Sequence, residues 1–126
     1  MIEKRDSNIE NVVDAIKPNT KMLYLESPAN PTILLTDIEA ASAVARANNM
    51  ITVVDNTFSS PYLQKPLELG ADIVLHSLTK FINGHADVVG GALIAKEEEI
   101  TKKLRKLKQQ HHVRNQEHHR HWCCGR

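Results

Sequence analysis

An α/β fold, a largely parallel sheet with helices packed on its faces, is the architecture this sequence predicts. Three observations carry it. Short apolar runs at Met22–Leu25, Ile51–Val54 and Ile73–Leu75 have the length and composition of buried strands. Segments with helical spacing or helix-forming composition lie between them, the alternation a parallel sheet requires for its crossovers. The chain has 126 residues, 41% hydrophobic and 25% charged, enough for one globular domain with a real core.

Taken in order, Ile9, Val12, Val13 and Ile16 stand at i, i+3, i+4 and i+7, one face of a short helix over 8–16. Lys17-Pro18-Asn19-Thr20 ends it with turn chemistry. After the Met22–Leu25 strand, Ser27-Pro28-Ala29-Asn30-Pro31 must be a loop, because each proline restricts its predecessor. Thr36-Asp37-Ile38-Glu39 fits a capping box, with Thr36 as the N-cap and Glu39 three residues on. The helix it opens is alanine-rich to about Ala47, and Asn48-Asn49 can close it. Ile51–Val54 is the next strand and delivers Asp55 at its carboxyl end. Pro61 to Leu69 holds a short helix or turn closed by Gly70. Ala71–Leu75 and Gly90–Ala95 are two further strands. From Lys96 to Lys108, Ile100, Leu104 and Leu107 form the stripe of a solvated amphipathic helix, with Glu98/Lys102 and Glu99/Lys103 at i, i+4.

In open α/β sheets chemistry collects beyond the carboxyl ends of parallel strands. Directly after Leu75 come His76, Ser77, Thr79 and Lys80, then a turn with Asn83 and Gly84. A lysine beside two hydroxyls suits a cofactor with an aldehyde and a phosphate, since the amine condenses with the aldehyde and the hydroxyls donate to phosphate oxygens. Read alone, Lys80 is an ordinary surface lysine, Asn30 is an Asx-type turn residue before Pro31, and Asp55 is as readily a cap on the turn Asn56-Thr57 as a site residue.

The stretch Asp72 to His85, D-I-V-L-H-S-L-T-K-F-I-N-G-H, closely resembles the lysine-attachment signature of the pyridoxal-phosphate enzymes of cysteine and methionine metabolism, the trans-sulfuration family. The resemblance continues through E-S-P-A-N-P (Glu26 to Pro31) and V-V-D-N-T-F-S-S-P-Y-L-Q-K-P-L-E-L-G-A-D (Val53 to Asp72), and covers roughly Ile9 to Lys96. It implies part of the large cofactor domain of an aspartate-aminotransferase-like (type I) fold, with pyridoxal 5'-phosphate as cofactor. It makes Lys80 the catalytic residue and the point of attachment. Asp55 is then the partner of the ring nitrogen, where a carboxylate favours the protonated form. Asn30 binds the phenolic oxygen, and Ser77 and Thr79 face the phosphate. The implied substrate is a small sulfur amino acid, the reaction a γ-elimination on cystathionine, methionine or homocysteine, and the assembly a homo-oligomer, a tetramer in the intact family. Phe81-Ile82-Asn83-Gly84-His85 looks most like the lyases; γ-replacement, as in cystathionine gamma-synthase or the homoserine sulfhydrylases, is the alternative.

No apolar run approaches a membrane span, and M-I-E-K-R-D-S-N lacks the apolar stretch of a signal peptide, so a cytoplasmic protein is expected. Cys123 and Cys124 are neighbours and offer no disulfide framework. Residues 1–95 carry 7 Lys+Arg against 11 Asp+Glu, net −4; residues 96–126 carry 9 against 4, net +5. The basic end has only Trp122 as an aromatic, so nucleic acid is not an expected partner.

The expected division is a partial cofactor-binding domain over 1–108 and a His/Cys-rich, disordered tail over 109–126, which holds five of the seven histidines. The tail has no C-x-x-C or H-x-x-x-H pair, and no metal site is expected. The resembling family runs longer at both ends and there supplies a glycine-containing phosphate loop, an aromatic residue stacked on the cofactor and an arginine for the substrate carboxylate. None is identifiable here, so this chain alone is expected to show no appreciable γ-lyase activity. A non-catalytic remnant, or a metal-binding protein built on the tail, are the readings of another class.

Overall fold

The computed structural model describes residues 2–4, 9–85 and 87–114. Its centre is a five-stranded sheet whose spatial order is the chain order. Strands β1 (Ile2–Lys4), β2 (Met22–Glu26), β3 (Ile51–Asp55) and β4 (Ile73–Ser77) run parallel, and β5 (Gly91–Ala95) lies antiparallel to β4. The largely parallel α/β sheet expected from the apolar runs is present.

Helices α1 (Ile9–Asp14) and α2 (Ile38–Ala47) cover one face. Side chains alternate across a strand, so Leu23, Leu25 and Val54 meet Val12, Ile38, Ala41 and Ala45 in one buried cluster. The alanines of α2 let the helix sit close to the strands. Gly70, at φ +99°, belongs to the same packing: a Cβ there would lie 3.1 Å from Arg46 Nη2 and 3.2 Å from Ser42 Cβ. Only glycine meets both demands at little cost.

Three expectations are corrected. The N-cap of α2 is Asp37, not Thr36: Asp37 Oδ1 accepts from the Ala40 N–H at 2.9 Å, while Thr36 is buried in the preceding loop and its N–H donates to Ser27 Oγ at 3.1 Å. β4 begins at Ile73 and continues through His76 and Ser77, because pairing with Ala92 and Gly91 of β5 keeps both in the ladder. Helix α4 (Glu98–Arg114), the next after the one-turn α3 (Ser60–Leu63), extends past Lys108, so the segment from Gln109 to Arg114 is helical; the rest of the expected tail, 115–126, lies outside the described residues. α4 packs along β5, and Lys102 pairs with Glu98 at 3.2 Å. The close of α2 at Asn48-Asn49 follows expectation, with Asn49 at φ 53° and Asn48 Nδ2 donating to the Val44 carbonyl at 2.9 Å.

Candidate active site

The carboxyl ends of β2, β3 and β4 present Glu26, Asp55 and Ser77 at the same end of the sheet, Glu26 opposite Asp55 in register. These strand ends and the loops after them enclose a cavity of about 530 Å³. All five residues singled out in the sequence line it: Asn30, Asp55, Ser77, Thr79 and Lys80. Glu26, Thr57, Phe58, Phe81 and Gly84 complete the lining.

Two loops are tied together by side-chain amides, one buried and one half-buried. Asn56 is fully buried, and its Nδ2 donates to the Ser60 carbonyl at 3.1 Å and the Gln64 carbonyl at 2.9 Å. Gln64 Nε2 donates to Asn56 Oδ1 at 2.8 Å and to the Ser27 carbonyl at 2.9 Å. The loop that carries Asn30 is thereby fastened to the one that follows Asp55, and each amide N–H is satisfied.

Asp55 is oriented by three donors. Tyr24 Oη donates to Oδ2 at 3.2 Å, and the backbone N–H and hydroxyl of Thr57 donate to Oδ1 at 3.0 and 2.5 Å. The turn-capping and cavity-facing readings of Asp55 are thus both realised: one carboxylate closes the turn and lines the cavity.

Lys80 lies in a wide turn over Leu78–Ile82, where the N–H of Asn83 reaches back five residues to the Leu78 carbonyl at 3.1 Å. The chain departs from helical geometry at Lys80 itself, with ψ −125°. Such widened turns recur at functional positions. They bring an exposed lysine to the cavity wall without placing it in the core. Gly84, at φ +76°, closes the turn through its N–H to the Lys80 carbonyl at 2.9 Å. Thr79 Oγ1 accepts from the Gly90 N–H at 3.2 Å, so its own proton is left to donate. Phe58 and Phe81 meet at a centroid distance of 6.0 Å and 54°, one hydrophobic border of the site.

His76 is not among the cavity-lining residues. It lies buried on the α2 side of β4, with Nδ1 lacking a partner among the described residues. Burial lowers its pKa below the usual 6.5, against the opposing pull of the Asp55 charge and the Asn56 backbone.

Sequence reasoning missed Tyr24, Glu26 and Thr57. Tyr24 and Glu26 are two apart on β2, the period that places both on one face, and Thr57 sits two residues after Asp55, the spacing of an Asx turn. Both signals were legible once β2 and β3 were placed side by side.

Within this lining the Lys80 amine, the Asp55 carboxylate fixed by its three donors, the Ser77 and Thr79 hydroxyls and the Asn30 amide fit an aldehyde-bearing, phosphorylated pyridine. Among the described residues no group of three or more His, Cys, Asp or Glu is placed to hold a metal ion.

With the sheet and the cavity established, the comparisons with known proteins assign the class. The family described as Cys/Met metabolism PLP-dependent enzyme matches residues 2–121, and the chain belongs to it. It is 55% identical over 93 residues to the L-methionine gamma-lyase of Fusobacterium nucleatum subsp. polymorphum, covering 73% of this chain and 24% of that one. It is 51% identical over 106 residues to the cystathionine beta-lyase MetC of Bacillus subtilis (strain 168), covering 84% and 27%. The crystal structure of cystathionine gamma-lyase from Lactobacillus plantarum, complexed with L-serine, superposes with a TM-score of 0.79 at 42% identity, over 82% of this chain and 27% of that one. The chain spans about a quarter of the length of the curated relatives it matches. No helix among the described residues is long and apolar enough to cross a membrane.

Proposed function

We propose that this chain supplies the cofactor-anchoring part of a pyridoxal-phosphate-dependent carbon–sulfur lyase that performs γ-elimination on a sulfur amino acid such as cystathionine, methionine or homocysteine. The convergence of Asn30, Asp55, Ser77, Thr79 and Lys80 on one cavity at the strand ends carries the reading. Bound there, pyridoxal phosphate supplies an aldehyde for a primary amine and a ring that takes up electrons from the substrate's α-carbon.

Each residue has a role that follows from its chemistry and position. The Lys80 amine at the cavity wall would anchor the cofactor and would serve as the base that moves protons between the substrate's α and β carbons. Asp55, held by Tyr24 and Thr57, keeps a proton on the ring nitrogen by opposite charge. Ser77 and Thr79 would hold the phosphate through their hydroxyls, and the Asn30 amide, by likeness to the family, would face the phenolic oxygen. The working assembly in this reading is a homo-oligomer in the cytoplasm.

β-Elimination is a second reading, favoured by the 51% identity to a cystathionine beta-lyase. The products separate the two in any active assembly containing this chain: γ-elimination of cystathionine releases cysteine and 2-oxobutanoate, β-elimination releases homocysteine and pyruvate.

The experiment for the site is borohydride trapping of the chain saturated with pyridoxal phosphate, followed by peptide mass mapping. The label is expected on Lys80 and is lost in Lys80→Ala, with the fold intact because this side chain is exposed. A label that survives the substitution, or that lands chiefly on another lysine such as Lys102, refutes the assignment.

A further inference from the structure

We propose that Thr57 is a positioning residue of the cofactor site, locking the Asp55 carboxylate to the end of β4 so that the two halves of the site keep one spacing. The proposal rests on the reading of Asp55 as the ring-nitrogen partner given above.

The hydrogen bonds around this side chain have only one consistent direction. A threonine hydroxyl has one proton to give and lone pairs to receive. The Ser77 N–H can only donate, and it donates to Thr57 Oγ1 at 2.9 Å. An ionised carboxylate can only accept, and Asp55 Oδ1 lies 2.5 Å from the same hydroxyl. The proton of Thr57 therefore points at Asp55, and the chain runs from the Ser77 amide through the Thr57 hydroxyl to Asp55. Successive bonds of this kind polarise one another. The Thr57 backbone N–H adds a second bond to the same oxygen at 3.0 Å, which fixes the carboxylate plane as well as its distance.

The position of this link matters because the backbone ladder between β3 and β4 registers only from Val53↔Ile73 to Asp55↔Leu75. Beyond it, the Asn56 N–H still reaches the Leu75 carbonyl at 2.9 Å, and the Thr57 hydroxyl then takes the amide of Ser77. Ser77 leads directly into Thr79 and Lys80. One hydroxyl thus carries the strand spacing past the last paired residues, to where the two arms of the site diverge. Closing the turn needs only the Thr57 backbone N–H on Asp55; the hydroxyl's acceptance of the Ser77 N–H, across to the other strand, is what a positioning role adds.

The test has one arm without cofactor and one with it. In the cofactor-free chain, amide exchange at Ser77 is followed by NMR. Thr57→Val, which keeps the shape and removes the hydroxyl, is expected to speed Ser77 exchange by about tenfold, the factor set by one ordinary hydrogen bond; Thr57→Ser is expected to restore it. Asp55→Ala is expected to speed it too, because the hydroxyl loses the acceptor that aims it. Unchanged Ser77 exchange in Thr57→Val, or failure of Thr57→Ser to restore it, overturns the proposal.

In the chain saturated with pyridoxal phosphate, the Lys80 label and the pH midpoint of the visible absorption band are read. Thr57→Val is expected to keep the label and to shift the midpoint in the same direction as Asp55→Asn, with no further shift in the double variant, the non-additivity of groups that act as a unit. A midpoint moved by Asp55→Asn but not by Thr57→Val overturns the positioning role alone. A midpoint unmoved by Asp55→Asn, with Lys80 labelled, overturns the Asp55 reading and this inference with it, even where Ser77 exchange behaves as expected.

Discussion

The two faces of the sheet are built from the same strands and have opposite chemistry. On the face under α1 and α2, Leu25 and Val54 are wholly removed from solvent and Val74 almost so. One residue along, Tyr24, Glu26, Asp55 and Ser77 are only half-buried, and three of these four line the cavity. Leu25 pairs with Val54 in register while Glu26 pairs with Asp55. Core and site are therefore set by one alignment, and a slip of a single residue would exchange them. The lesson is that the packed face acts as the ruler for the polar one: the carboxylates stand where they do because Leu25 and Val54 have nowhere else to go.

The largest effect that would break this comparison is a substitution on the packed face. Leu25→Ala is expected to cost about 2–5 kcal/mol, whereas Tyr24→Phe, its neighbour on the open face, is expected to cost only about 1 kcal/mol for the lost hydroxyl bond to Asp55. Denaturant titration of the two variants measures both, and equal losses would show that the faces do not divide the labour. Next in size is Gly70→Ala, expected to cost about 1–2 kcal/mol from the left-handed backbone alone, with the approach to Ser42 and Arg46 adding to it. A midpoint unchanged from the parent chain would mean that α2 is not seated closely there.

A pH slope is the smallest effect. His76 is the titratable side chain on the packed face of β4, and burial lowers its pKa below 6.5 despite the Asp55 charge. Just below pH 6.5 the unfolded chain takes up a proton that the folded chain refuses. The stability contributed by the neutral ring is therefore full above pH 6.5 and declines as the pH falls towards the lowered folded value. Stability measured between pH 7 and 5 should show that decline, and His76→Gln should flatten it. A slope as steep in His76→Gln as in the parent would assign it to other groups.

Much of this is legible in the sequence. Apolar runs placed the inner strands, and the rule that chemistry gathers at their carboxyl ends placed Asp55 and Lys80. What was not legible has identifiable causes. His76 and Ser77 do not read as strand, and only the antiparallel partner, through Ala92 and Gly91, holds them in the ladder. Thr36 and Asp37 are adjacent and both good caps; the choice is made by Ser27, which takes the Thr36 amide and draws that residue into the loop. The apolar stripe of the last helix stops at Leu107, yet the helix continues to Arg114, through a stretch past Lys108 that opens with two glutamines and holds neither Gly nor Pro. Tyr24 sits in a run that reads as buried strand, and its hydroxyl acquires meaning only when β3 is laid beside it.

The reversal of β5 bears on how the molecule comes together. Every parallel pairing in this sheet waits for a crossover, but β4 and β5 are antiparallel neighbours in chain and in space and can be joined directly. The connection, residues 78–90, contains Lys80 and is closed at its base by the Leu78 N–H on the Gly90 carbonyl and the Gly90 N–H on Thr79. Loop closure grows costlier by only about 0.6 kcal/mol per doubling of length, and contacts of low sequence separation are the kinetically accessible ones. The arm with the lysine can thus close as a hairpin, whereas the pairing that brings Asp55 beside it requires the crossover from β3 to β4. In topological terms the lysine's seat is made within one hairpin, and its acidic counterpart is joined to it across a crossover.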